Sequence, residues 1–116
     1  MKKTCTKNDI LSELYEVVLD RRLHPSSASY VSSLLRKGAD KIHRKISEEA
    51  AELIDASAAA SRSDVIHETA DLWFHCLVLL GLHDIPPGEI YDELMRRRGI
   101  SGLAEKESRK KHAAKT

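Results

Sequence analysis

A chain of 116 residues with Lys+Arg 19 against Asp+Glu 18, a formal net charge of +1, makes one domain and leaves no room for a separate cofactor domain. Near-neutral charge excludes the basic field that non-specific nucleic-acid binding needs, and an aromatic content of 4% argues against a base-stacking platform. Two cysteines, Cys5 and Cys76, form neither a disulfide framework nor a Cys-x-x-Cys pair, which fits a reducing cytoplasm.

Asn8 is a plausible N-cap for a first helix running to about Leu23, with Ile10, Leu11, Leu14, Val17 and Val18 on one face. His24-Pro25-Ser26-Ser27 ends it. A short helix from Ser29 to Lys37 carries Tyr30, Val31, Leu34 and Leu35 and stops at Gly38. The third helix starts near Ala39 or Asp40 and reaches about Ala60, with an apolar stripe of Ile42, Ile46, Ala50, Leu53 and Ile54. Ser61 or Ser63 caps a fourth helix from Asp64 to about Leu82.

After the break at Gly81 to Asp84, Pro86-Pro87-Gly88-Glu89 opens a fifth helix that ends in Arg96-Arg97-Arg98-Gly99. The segment 103–116 is a charged tail, frayed or disordered, behind a core spanning 8–100. No strand alternation is present, so the fold expected is all-α, an antiparallel bundle of four to five helices. The basic N-terminus is not followed by the apolar run of a secretory signal. The apolar run Leu72 to Leu82 is too short to cross a bilayer, so no membrane partner is expected.

The chemistry concentrates in two helices. At about 100° per residue, Glu49 and Glu52 lie roughly 60° apart, and Glu48 sits roughly 40° from Glu52. Helix propensity does not call for three like charges on one sector, since neighbouring carboxylates repel. The fourth helix adds Glu68 and Asp71, three residues apart, at the entrance to an apolar stretch (Leu72, Trp73, Phe74, Cys76 to Leu80) that covers every side and predicts burial all round.

A short connection makes these helices antiparallel neighbours, with the two acidic turns at comparable heights. Buried carboxylates are costly without a cation. Oxygen-only ligands with room for water and phosphate suit magnesium or manganese rather than zinc. A solvated acidic face remains the plain alternative. It corresponds to a non-catalytic helical dimerisation module, which divalent metal would leave unstabilised.

The pattern Glu49-x-x-Glu52, fifteen residues, then Glu68-x-x-Asp71 resembles the signature of the MazG-type all-α nucleotide pyrophosphatases. Within that superfamily the chain is most similar to the phosphoribosyl-ATP pyrophosphatase family. The residues carrying the likeness are Ser29-Tyr30, Leu34-Leu35-x-Lys37-Gly38, Asp40-Lys41-Ile42 and Lys45-Ile46-Ser47-Glu48-Glu49-Ala50. Ala70-Asp71-Leu72, His75, Leu77 to Leu80 and Arg96 to Leu103 with Glu105-Lys106 complete it, so that it spans about residues 10 to 110. Ser47 stands where the family usually has Gly, Arg98 where it has His, and Ile100 where it has Thr.

The resemblance implies hydrolysis of phosphoribosyl-ATP to phosphoribosyl-AMP and pyrophosphate, the second step of histidine biosynthesis. A house-cleaning nucleoside triphosphate pyrophosphatase of the same superfamily is the nearest alternative. It further implies Glu49, Glu52, Glu68 and Asp71 as magnesium ligands, and Glu48 as the group that orients or deprotonates water or holds a second ion. Lys41, Lys45, Arg97 and Arg98 would face the polyphosphate. Ser101 and Gly102 either offer N–H groups to phosphate or form a simple turn. His75 is either a partner of a metal carboxylate or a hydrogen-bonded core histidine. A homodimer completing the bundle is implied as well, with active sites built from both chains.

Overall fold

The computed structural model describes residues 10–98 as five helices: α1 (Ile10–Leu23), α2 (Tyr30–Lys37), α3 (Ala39–Ala58), α4 (Arg62–Leu82) and α5 (Pro87–Arg97), with no strand among the described residues. The predicted cap Asn8, the loop residues Ser101 and Gly102, and the charged tail lie outside the described residues.

The helix ends follow from local chemistry. Ser29 caps α2, its hydroxyl accepting from the Ser32 N–H at 3.1 Å. Gly38, at φ +92°, donates its N–H to the Leu34 carbonyl and turns the chain directly into α3. The α3–α4 turn is a Schellman motif: the Ser61 N–H reaches the Ala56 carbonyl at 3.2 Å and the Ala60 N–H reaches Ser57 at 3.0 Å. That geometry forces Ala60 to φ +56°. Of the two serines offered by the sequence, Ser61 is the cap, accepting from the Asp64 N–H, so α4 begins at Arg62.

The end of α4 repeats the device. Ile85 donates to the Leu80 carbonyl at 3.0 Å, with Asp84 at φ +58°. Arg22 of α1 donates to the Gly81 carbonyl at 2.7 Å and pairs with the Asp84 carboxylate, tying α1 to this turn.

The α3–α4 hairpin is the spine; α1 packs on α4, α2 on α3, and α5 on α1. Val18, Val31, Leu34, Ile42 and Val78 form the core where α1 to α4 meet. Burial of side chains of this size stabilises by about 1.5–3 kcal/mol each.

Two sequence expectations about burial are corrected. Ile54, assigned to the stripe of α3, is 67% exposed, and Val17 of α1 is also exposed. The fourth helix is not covered on every side, because Trp73 is 56% exposed and Ile66 is exposed with it. The reason is length. Helices α3 and α4 have 20 and 21 residues, whereas α1, α2 and α5 have 14, 8 and 11, too few turns to sheathe the hairpin.

By length and composition α4 is long and apolar enough to cross a bilayer, with a mean hydropathy of 1.3 over an 18-residue window. The same measures fit the central helix of a bundle, and α4 packs against α1, α2 and α3.

Candidate active site

The antiparallel hairpin brings one acidic turn of α3 against one of α4. Glu49, Glu52 and Glu68 each offer a carboxylate oxygen within 4.8 Å of the others. Glu49 is 6% exposed, which is unusual for a carboxylate without a full set of partners. Its Oε1 and the Oε1 of Glu68 are shut off from solvent with no hydrogen-bond donor among the described residues.

Burial pushes the Glu68 carboxyl above its ordinary range, and Glu52 and Glu49 push the same way while His67 opposes them. A cluster that raises its own proton affinity and leaves two oxygens orphaned is short of positive charge. A hard divalent cation answers that deficit with the ligand chemistry these oxygens provide. Beyond the cluster, Glu52, Asp55, Asp64 and Glu68 line an open cleft of about 360 Å³ at the loop end of the hairpin.

Asp71 is not within that trio. It forms a second group with Glu68 and His67, whose ligand atoms also lie within 4.8 Å, and His67 Nε2 is 3.2 Å from an Asp71 carboxylate oxygen. Glu68 therefore belongs to both groups. His67 was missed in the sequence; its signal was the i, i+4 spacing to Asp71 on one helix face.

Lys45 stands over the cluster, its Nζ 3.4 Å from Glu48 and 3.7 Å from Glu49. Desolvation pulls its pKa down, but Tyr30, Glu48 and Glu49 outweigh that and hold the ammonium above its ordinary value. Glu48 is exposed and outside the trio, and Lys41 is half-buried one turn before Lys45. Arg97 is exposed and donates to Glu93 at 3.0 Å on its own helix, as Arg96 does at 2.7 Å, which drops the Glu93 carboxyl to about 2. Arg98 caps the same helix. Within one chain these arginines therefore sit on α5, the helix that packs on α1, whereas the carboxylates belong to α3 and α4.

His75 is a hydrogen-bonded core histidine, the second of its two sequence readings. It meets the backbone carbonyl of Asp71, not its carboxylate, at 2.9 Å, and Tyr30 Oη at 2.9 Å. Trp73 and Cys76 instead face an apolar groove of about 300 Å³ with Leu11, Leu80, Ile90 and Leu94. Burial pushes the Cys76 thiol up, away from thiolate reactivity.

A family model described as phosphoribosyl-ATP pyrophosphohydrolase matches residues 11–98, a span that holds both acidic helices. The chain belongs to the phosphoribosyl-ATP pyrophosphohydrolase family. Curated relatives agree along nearly their whole length. The phosphoribosyl-ATP pyrophosphatase of Geotalea daltonii is 57% identical over 102 residues, covering 88% of this chain and 96% of that protein. Those of Geobacter metallireducens and Neisseria gonorrhoeae are 51% and 45% identical over 105 and 102 residues, covering 90% and 88% of this chain and 96% and 95% of theirs. The all-α architecture and the family expected from the sequence both hold.

Proposed function

We propose that this chain hydrolyses phosphoribosyl-ATP between its α and β phosphates, releasing phosphoribosyl-AMP and pyrophosphate in histidine biosynthesis, with magnesium or manganese held by Glu49, Glu52, Glu68 and Asp71. The observation that carries the site is the pair of solvent-excluded, unpartnered oxygens of Glu49 and Glu68, one from each helix of the hairpin. Family membership carries the substrate. His67 belongs beside Glu68 and Asp71 as an auxiliary group.

A bound divalent cation would supply charge neutralisation for the phosphates and a lowered pKa for water. The chain's own residues do the rest. Lys45, held protonated by Glu48 and Glu49, presents a point charge to the phosphate chain, and Lys41 extends that charge by one helical turn. Glu48, exposed beside the cluster, accepts the proton of the attacking water. Water oxygen bonds to phosphorus as the bridging P–O bond breaks, and the bridging oxygen leaves on one product.

The exposed apolar side chains Trp73 and Ile66 and the groove between α4 and α5 suit a second copy of the chain, making a homodimer whose paired hairpins complete a four-helix bundle. In such a dimer Arg97, at the end of α5, and Arg98, its C-cap, would reach the phosphates of the partner's site, together with Ser101 and Gly102. A cytoplasmic location fits a biosynthetic enzyme of this kind.

Pyrophosphate release from phosphoribosyl-ATP and from ATP, with and without magnesium, tests the reading, with Glu49→Gln in parallel. Phosphoribosyl-ATP is expected to be much the better substrate, with turnover lost in Glu49→Gln and in chelator. Equal turnover of ATP would reject the substrate assignment, and full activity of Glu49→Gln would reject the site.

A further inference from the structure

His67 borders the carboxylate cluster on α4. With Glu68 and Asp71 it makes a group whose ligand atoms all lie within 4.8 Å of one another. His67 and Asp71 are one turn apart on the same face of the helix, and His67 Nε2 is 3.2 Å from Asp71 Oδ2. Metal–ligand bonds of about 2.0–2.2 Å, set near right or tetrahedral angles, hold neighbouring ligand atoms roughly 2.8–3.6 Å apart. The imidazole and the carboxylate thus already have the spacing of two ligands on one ion. Their side chains are 68% and 40% exposed, which leaves open positions for water or a phosphate oxygen. Glu68 links this group to the other, since it also stands with Glu49 and Glu52 within 4.8 Å. Its Oε1 is shut off from solvent without a hydrogen-bond donor, as is the Oε1 of Glu49, whose side chain is 8% exposed.

We propose that His67 is a metal ligand: with Glu68 and Asp71 it forms a mixed nitrogen–oxygen position that prefers a transition-metal cation, cobalt above manganese, to magnesium. Glu68 joins that position to the all-carboxylate one of Glu49 and Glu52. The preference follows from ligand chemistry. Magnesium takes oxygen ligands and gives up water reluctantly, so an imidazole adds little to its binding. Divalent ions of the first transition row gain from a nitrogen ligand, and their affinity for a nitrogen–oxygen site rises from manganese to cobalt. Carboxylates alone provide no such discrimination; the His67 nitrogen introduces it. As an ordinary ion pair on the helix surface, His67 would instead compete as a cation for Asp71, and its removal would strengthen binding of every divalent ion alike. The two roles give opposite signs. This inference rests on the metal-holding carboxylates proposed above.

The test titrates the full chain, at one fixed pH, with cobalt chloride or magnesium chloride alone, followed by calorimetry and by the rise in melting temperature. Cobalt is expected to bind the wild type about tenfold or more tighter than magnesium. His67→Ala, at an exposed helix position, should weaken cobalt binding about tenfold while changing magnesium binding less than about twofold. The visible absorption of bound cobalt should differ between the two proteins, because it reports the nitrogen in the coordination shell. His67→Glu offers an oxygen in place of that nitrogen and should bind both ions without the preference for cobalt. Equal cobalt affinity and absorption in wild type and His67→Ala, or a gain for both ions in the variant, overturns the proposal. Glu49→Gln separates the two readings. Metal binding that ignores Glu49→Gln brings down the carboxylate site as well, whereas binding that is lost in Glu49→Gln but indifferent to His67→Ala sinks only this inference.

Discussion

Gly81→Ala isolates the close approach of α1 to α4. A Cβ built at position 81 would stand 2.5 Å from Val18 Cγ1, far inside van der Waals contact. Val18 cannot swing away: it is β-branched, lies within a helix, and is 0% exposed in the centre of the core. Two effects oppose each other. Alanine is favoured over glycine in a helix interior by about 1 kcal/mol. Overpacking a filled core costs about 1–3 kcal/mol. The clash is with a rigid, buried methyl and not a mobile side-chain end, so the upper part of that range applies and the net change is a destabilisation of about 1–2 kcal/mol. Thermal denaturation at fixed protein concentration should show a fall in melting temperature of roughly 5–10 °C. The partner substitution supplies the control. Val18→Ala alone is destabilising through the cavity it leaves, but combined with Gly81→Ala the two should be less harmful than their sum, because the new methyl enters the vacated space. A Gly81→Ala protein as stable as wild type would refute the argument that this glycine sets the α1–α4 distance.

Three further outcomes are expected. Ala60 occupies the left-handed position of the α3–α4 Schellman turn at φ +56°, so Ala60→Gly should stabilise by about 0.5–1 kcal/mol in urea denaturation. Magnesium should raise the melting temperature of the wild type, and Glu49→Gln should abolish most of that gain while leaving the metal-free protein no less stable, since it removes one of three mutually repelling carboxylates. Glu93, whose pKa is drawn to about 2 by Arg96 and Arg97, contributes stability that is fully present above its ordinary 4.5 and is lost as pH falls toward 2. Wild type and Glu93→Gln should accordingly converge in stability at acid pH; a gap that persists at pH 2 contradicts the pairing.

Helix positions were legible in the sequence because their signals are local. Ser29, Gly38, Ser61 and Pro87 act through backbone groups within four residues, and the five elements lie where those signals place them. The acidic pairs were legible for the same reason, since Glu49 and Glu52, or Glu68 and Asp71, share a face through helical periodicity alone. The extent of burial was not. Ile54 and Trp73 carry apolar side chains at helical spacing, yet whether another helix covers them depends on the relative lengths of elements remote in the chain.

The amino-acid sequence by itself determined the all-α class, the order of five helices and the family, because each rests on patterns repeating every few residues or on motifs spanning the chain. Only the tertiary structure decided that Glu68 is shared between Glu49 and Glu52 on one side and His67 and Asp71 on the other, that two of the carboxylate oxygens are left without donors, and that His75 reaches across to Tyr30. Those facts depend on the rotation and separation of α2, α3 and α4 about one another. A shift of an ångström there changes which oxygens meet, and core packing around Val18, Leu34, Ile42 and Val78 sets it.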